Sequence, residues 1–267
     1  MKKLLIVISA CNEAASLNVF LPKLVKVAKS LLVSTDILLI NDGSTDNTAE
    51  IAVSHGCQVI NNPENLGIGA SLHSGYKEAF KNDFDFVVTM DADGQHDASI
   101  LPGIVDLILG GEVDIIVASR YHKDSERFGV PLDRDLLNIS VTAQMKFVTG
   151  WNITDPLSGF WCMTKDCYKF ALDHGRQERY GIHLENLIKF WHLLTPRPRH
   201  IEVPHPAIYD NHGTHSLLTR VYSNANQEDR LHRFGTHALH ILEAINDVRS
   251  IIGAASISLN MESRRYR

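Results

Sequence analysis

Nothing in the sequence approaches the roughly 20 consecutive apolar residues that a membrane-spanning helix requires. The nearest stretch, IIGAASISL at 251–259, is far too short. The chain is therefore not expected to span a bilayer by itself, although peripheral contact with a membrane or a membrane-bound partner stays open. Cysteine is scarce: Cys11, Cys57, Cys162 and Cys167 form no CxxC pair and no zinc-finger spacing. They read as reduced thiols of a cytoplasmic protein. The start, MKKLLIVISACNEAA, is basic and then apolar, but the apolar run breaks at Asn12 and Glu13 after about eight residues, shorter than most secretory cores. It reads as a buried strand. Excess positive charge is also missing. At a net charge of -5 there is no general pull on nucleic acid or anionic lipid, so an anionic ligand has to be held locally. No repeat or low-complexity segment is present. NLGIGASLHSG (65–75) lacks the lysine and the spacing of a P-loop, and reads instead as close backbone approach at a helix N-terminus, at Gly67.

What is present is an ordinary globular composition, 44% hydrophobic and 21% charged over 267 residues. That suits one large α/β domain, alone or with an appendage. Apolar runs at 4–9, 36–41, 57–61, 85–90 and 114–119 alternate with helical patterns at 14–32, 44–54, 67–81 and 99–109. Strands apolar throughout, between amphipathic helices, predict a mostly parallel sheet covered on both faces. Beyond Arg120 the pattern loosens into a polar loop (121–135), a helix (136–149), a Gly/Pro-punctuated stretch, a helix (181–194) and the Pro-rich 195–206. The last forty residues read as amphipathic helix, with Leu231, Phe234, Ala238, Leu242 and Ile245 on one face. That segment packs on its own domain or pairs with a second subunit; a membrane is less favoured, because basic residues bunch only at Arg264, Arg265 and Arg267.

In open parallel sheets, ligands bind beyond the carboxyl ends of the strands. Here those ends carry Cys11-Asn12-Glu13, Asn41-Asp42-Gly43-Ser44, Asp91-Ala92-Asp93 and Ser119-Arg120. In MDADGQHD (90–97), Asp91 and Asp93 can turn both carboxylates to one hard cation and Gln95 can add an amide oxygen, which suits Mg²⁺ or Mn²⁺. A lone D-x-D is common in turns, where Asp makes Asx-turns and caps helices, and Asp97 reads as such a cap. The company of the other clusters favours metal binding. For NDGSTDNT (41–48), a turn with a helix cap and a carboxylate that meets a base or ribose are both open.

ISACNEAASL (8–17), INDGSTDNT (40–48), NPENLGIGASLHSGY (62–76), MDADGQHD (90–97), ASRYH (118–122), DPLSGFWCM (155–163) and YGIHLENL (180–187) form an ordered set. In order and spacing it resembles the family 2 glycosyltransferases, inverting enzymes of the Rossmann-like GT-A fold, nearest the branch of dolichol-phosphate mannose synthase and other polyprenyl-phosphate glycosyltransferases. The resemblance implies a GT-A catalytic domain over 1–210 and a helical extension over 211–267 for packing or oligomerisation. It places Glu13 and Asp42, with the backbone of Ala10 and Cys11, at the nucleoside, and counts Gly67 and Ala92 in the same nucleotide-sugar pocket. Asp91, Asp93 and Gln95 would hold Mg²⁺ or Mn²⁺ on the donor diphosphate. Arg120 and Arg134 would approach phosphates, and Asp155, Ser158 and Gly159 would lie on the acceptor side. The implied donor is a UDP- or GDP-sugar and the implied acceptor a lipid phosphate or a glycan. A hydroxyl acceptor needs a general base, for which Asp155 is the first candidate; a lipid phosphate needs none.

The sequence departs from the family at Ser9 (usually proline), Cys11, Ile68 (often lysine) and DNHGTHS (210–216), where the branch carries Arg-x-x-Gly-x-Ser-Lys. There His212 is a candidate further metal ligand, with His215 beside it, among fourteen histidines of which ten lie beyond residue 170. Two other readings compete. A nucleotidyltransferase would need a basic Gly-rich loop after the first strand, which SACNEAAS lacks. A binding protein that has lost turnover is kept open by the altered 210–216 element.

Overall fold

A computed structural model of the chain describes residues 1–176, 181–208, 243–244, 246–248 and 250. His212, His215, the 210–216 element, the face from Leu231 to Ile245 and the terminal arginines lie outside the described residues.

The five apolar runs form β1 (Lys3–Ala10), β2 (Ser34–Asp42), β3 (Gln58–Asn62), β4 (Phe86–Asp91) and β5 (Ile115–Ser119). Between them run α1 (Ala14–Ala28), α2 (Thr48–Ser54), α3 (Ile68–Lys81) and, after a 3₁₀ turn at Ala98–Ile100, α4 (Leu101–Leu109). Asp97 caps that turn, accepting from the Ser99 N–H at 2.8 Å. Asp46 accepts from the Thr48 N–H at 3.0 Å, at the head of α2. α1 ends four residues short of the expected 32.

The second half holds more structure than its sequence pattern announces. β6 (Arg127–Phe128) opens into α5 (Leu132–Thr149), which starts four residues earlier than its periodicity predicts. β7 (Trp161–Thr164), α6 (Lys165–His174), α7 (Ile182–Leu193), β8 (His200–Pro204) and β9 (Ala207–Ile208) follow. The sheet order is β3-β2-β1-β4-β7-β5-β8, with β6 and β9 as a separate pair. All seven strands are parallel except β7, which runs antiparallel to both β4 and β5. The order reverses at β1 and β4, the switch point where such sheets bind ligands.

Alternate strand residues serve opposite layers, because successive side chains point to opposite faces. Leu5, Val7, Val87, Val117 and Trp161 face one core with Tyr76, Tyr168 and Leu187. Leu4, Ile6, Ile8, Val88, Ile116 and Phe160 face the other with Leu17, Leu21 and Ile104. Ala244 and Val248, from the far end of the chain, join the first core. Asp247 reaches the buried Lys189 at 3.2 Å, and Lys189 also bonds Glu185 and the His174 carbonyl at 2.8 Å. The segment around 247 therefore packs on this domain.

Candidate active site

Parallel register brings the strand ends level: Ala10 pairs with Asn41, Ser9 with Asp91 and Ser119 with Pro204. Because β7 is reversed, the loop that leads into it lands at the same edge. Four clusters and that loop therefore surround one cleft.

On the β1–β2 side the loops bind each other. The Asn12 N–H donates to Ser44 Oγ at 2.9 Å and the Thr45 N–H to Asn12 Oδ1 at 2.8 Å. The Glu13 N–H donates to Thr48 Oγ1 at 2.9 Å, and Ser16 Oγ donates to the Glu13 carboxylate at 2.8 Å. Asp42 is almost wholly buried. Its carboxylate accepts from Asn62 Nδ2 (2.8 Å) and from the N–H groups of Leu66 (3.0 Å) and Gly67 (2.8 Å). Asp42 thereby holds the turn at the head of α3. Gly43 makes room for that turn: its φ is +69°, and a Cβ there would lie 2.4 Å from the Glu64 backbone. Cys11 sits beside it, accepting from Asn65 Nδ2 at 3.3 Å.

Asp91 and Asp93 stand at the end of β4 with their charges poorly compensated. Desolvation raises the Asp91 carboxyl above the usual carboxylate range, against the pull of Arg120 and Arg134. Desolvation and then repulsion from Asp91 raise Asp93 likewise, although it accepts from the Gln95 N–H at 2.9 Å. The Gln95 amide nitrogen is buried, and Nε2 has no hydrogen-bond partner among the described residues. Two carboxylates with the amide oxygen of Gln95 beside them are an all-oxygen donor set that fits a hard divalent cation. Among the described residues no third His, Cys, Asp or Glu completes a cluster with them. Gly159 makes the space: a Cβ there would sit 2.9 Å from both oxygens of Asp91.

Across the cleft, Arg120 is held in a fork. Its Nε donates to Asp155 Oδ2 at 2.8 Å, its Nη2 to Oδ1 at 2.9 Å and its backbone N–H to Oδ2 at 2.9 Å. Asp155 is 0% exposed. Both oxygens of Asp155, the residue expected as a general base for a hydroxyl acceptor, accept from Arg120 in this arrangement. Ser158 also turns inward, donating to the Ala118 carbonyl at 2.8 Å. Arg134 lies in the first turn of α5, and its charge reaches both Asp91 and Asp93.

Three positions that sequence patterning did not assign complete the frame. Glu202 of β8 accepts from the N–H groups of Thr154 (2.9 Å) and Asp155 (3.0 Å), fixing the loop behind Arg120. His96 and His205 are buried behind the 91–97 turn, and burial pushes them down to about 4 and about 3. His205 meets Asp97 across 108 positions, whereas His96 meets Asp91 within the acidic motif, so only the spacing of His96 was a signal.

A mostly parallel sheet with an acidic pair at its switch point and two arginines facing it is the GT-A arrangement. Residues 5–170 match the family model described as Glycosyl transferase family 2. The chain belongs to that family and is a glycosyltransferase, which sets aside the nucleotidyltransferase reading. It is 24% identical over 208 residues to the undecaprenyl-phosphate mannosyltransferase of Micrococcus luteus, covering 76% of this chain and 82% of the relative. It is 26% identical over 170 residues to the UDP-N-acetylglucosamine–dolichyl-phosphate N-acetylglucosaminyltransferase of Methanococcus voltae, covering 57% and 68%. Among solved structures, glucosyl-3-phosphoglycerate synthase from Mycobacterium tuberculosis, in complex with Mn²⁺, uridine diphosphate and glucosyl-3-phosphoglycerate, superposes with a TM-score of 0.62 at 18% identity, covering 92% and 80%. Mannosyl-3-phosphoglycerate synthase from Rubrobacter xylanophilus gives 0.65 at 15%, covering 95% and 75%. At those identities the likeness is one of fold.

Proposed function

We propose that this glycosyltransferase moves a hexose from a UDP- or GDP-sugar to a polyprenyl phosphate, inverting the anomeric carbon, at the cytoplasmic face of a membrane. The observation that carries the reading is the placement of Asp91 and Asp93 at the end of β4, with Gly159 cradling Asp91 and Arg120 forked on Asp155 at the end of β5. Such a cleft is built to receive an anion together with a cation. Asp91, Asp93 and Gln95 would hold Mg²⁺ or Mn²⁺, which when bound neutralises the leaving diphosphate and orients it. Arg120, preset by its fork to Asp155, presents a fixed cation to phosphate without reorganising. Arg134 supplies a second. Glu13, with Asp42 acting through the turn it holds, shapes the nucleoside wall beside Ala10, Cys11 and Gly67.

The acceptor class is supported by the same fork. With Asp155 tied to Arg120, an acceptor that is already an anion suits the site better than a hydroxyl that must lose a proton. The names of the curated relatives, which act on undecaprenyl and dolichyl phosphates, point the same way. No helix among the described residues is long and apolar enough to cross a membrane. However, α5 exposes Leu132, Leu136, Ile139 and Phe147 along one stripe, with Phe128 just before it. A lipid surface is the partner this stripe fits.

The test is release of nucleoside diphosphate from UDP- and GDP-sugars with Mn²⁺ and polyprenyl phosphate in vesicles. Release that needs both lipid phosphate and metal, and that falls at least 100-fold in Asp93→Ala, is expected. No release with any donor, together with no metal-dependent nucleotide binding, would sink the reading in favour of a chain that has lost turnover. Transfer to glycan hydroxyls alone would replace the acceptor.

A further inference from the structure

We propose that His96 and His205 are positioning residues that clamp the metal-binding turn from behind, each by accepting one backbone N–H of that turn. The inference rests on the reading of Asp91, Asp93 and Gln95 as metal ligands. The turn leaves β4 at Asp91 and reaches its helical cap at Asp97. The Asp91 N–H donates to His96 Nδ1 at 2.9 Å, and the Asp97 N–H donates to His205 Nε2 at 3.0 Å. Both ends of the segment that carries the ligands are thus fixed on imidazole nitrogens.

A ring nitrogen that accepts carries no proton. Both rings are therefore neutral and hold opposite tautomers: His96 protonated on Nε2, His205 on Nδ1. The protonated Nε2 of His96 then faces Asp91 Oδ2 at 3.5 Å. One ring is in register with both the backbone and the carboxylate of the same aspartate. The two imidazoles cross edge-on at 5.6 Å, and each lies against Phe160, at 5.2 and 5.7 Å. Phe160 follows Gly159, whose missing Cβ leaves room for the Asp91 carboxylate. His205 also reaches the other side of the cleft, because its backbone N–H donates to the Ser119 carbonyl at 3.0 Å, next to Arg120. The clamp sets the acidic turn and the arginine strand end in one frame.

If the rings merely filled space, an apolar side chain of similar size would serve. If they act as acceptors, only an acceptor at the same place will: Asn carries an oxygen where His Nδ1 sits, and Gln where Nε2 sits. The experiment has two arms on the full chain. Nitrogen-15 NMR of histidine-labelled wild type reads the tautomers. Free Mn²⁺ counted by EPR, with saturating UDP or GDP, gives metal affinity for His96→Leu, His96→Asn, His205→Leu and His205→Gln.

Expected are opposite tautomers, a loss of Mn²⁺ affinity of roughly 10-fold or more in each Leu variant, and recovery to within a few-fold in His96→Asn and His205→Gln. A folded Leu variant with wild-type affinity, or either ring in the other tautomer, overturns the clamp. Should a Leu variant not fold, the wild-type tautomers decide. A wild type that binds no Mn²⁺ with either nucleotide overturns the inference through the metal reading itself, which keeps that failure distinct.

Discussion

A methyl group at residue 159 would meet both carboxylate oxygens of Asp91 at 2.9 Å, closer than carbon and oxygen pack. Gly159→Ala must therefore move the acidic turn or the loop before β7, and Thr89 Oγ1 holds that loop by its bond to the Gly159 carbonyl at 2.7 Å. Misplacement of a reacting group by about 1 Å can lower turnover on the order of 100-fold. Gly159→Ala is thus expected to keep its circular dichroism spectrum while losing Mn²⁺ affinity and most of its activity, measured by titration with nucleotide present. Unchanged metal affinity would show that the cradle yields. At this scale the sequence was readable where partners are neighbours. Asp91, Asp93 and Gln95 share one turn, and Asp97 caps the residues directly after it. It was unreadable where partners are distant. Arg120 meets Asp155 35 positions on, and Asp97 meets His205 108 positions on. The same distance effect hid Asp42, whose carboxylate is taken up by Asn62, Leu66 and Gly67.

Among the elements, α5 has two working faces. Leu137, Val141 and Met145 bury one face in the core, while Leu132, Leu136, Ile139 and Phe147 stand exposed on another. Its first turn carries Arg134, and Asp135 beside it bonds Arg127 and accepts from Tyr121 OH at 3.0 Å. A surface that seats the exposed stripe would bring the acceptor to that end of the helix. Ile139→Asp with Phe147→Asp is expected to leave the melting temperature within a few degrees, since surface changes usually stay near 0.5 kcal/mol each. The pair should abolish co-flotation with anionic vesicles. Flotation equal to wild type would remove the stripe from that role. The elements that sequence pattern gave correctly, β1 to β5 with α1 to α4, owe their legibility to local periodicity. β7 is four residues long and is a strand because β4 and β5 flank it, a tertiary effect that no short window carries. β8 hides among prolines, yet the sheet edge tolerates Pro204 at its end.

The whole molecule holds a further consequence of burial. His183 of α7 is 6% exposed, lies 5.0 Å from the Trp161 ring and has no partner for either ring nitrogen among the described residues. Burial, with a smaller effect from neighbouring His96, pushes it down to about 4. A folded pKa below the unfolded value of about 6.5 means that the unfolded chain takes up a proton which the native ring refuses. Stability is therefore present above pH 6.5 and is lost as pH falls toward 4, and His205 adds to it in the same direction. Thermal melts from pH 7.5 to 4 should show a steep decline below 6.5, shallower in His183→Phe, which removes the titrating ring and its unsatisfied nitrogens. Parallel curves for the two proteins would exclude His183 as a source of acid lability. The fold class was legible from strand and helix alternation, and the cleft from polar strand ends. What stayed hidden was the reversal of β7.

That reversal divides labour along the chain. In a wholly parallel sheet only loops that follow strands reach the ligand edge, whereas here a loop that precedes one arrives there as well. One wall of the cleft is written between residues 10 and 95, the other between 120 and 160. The two walls touch where Gly159 leaves room for the Asp91 carboxylate and Thr89 Oγ1 holds the Gly159 carbonyl, so a change in one is read through the other.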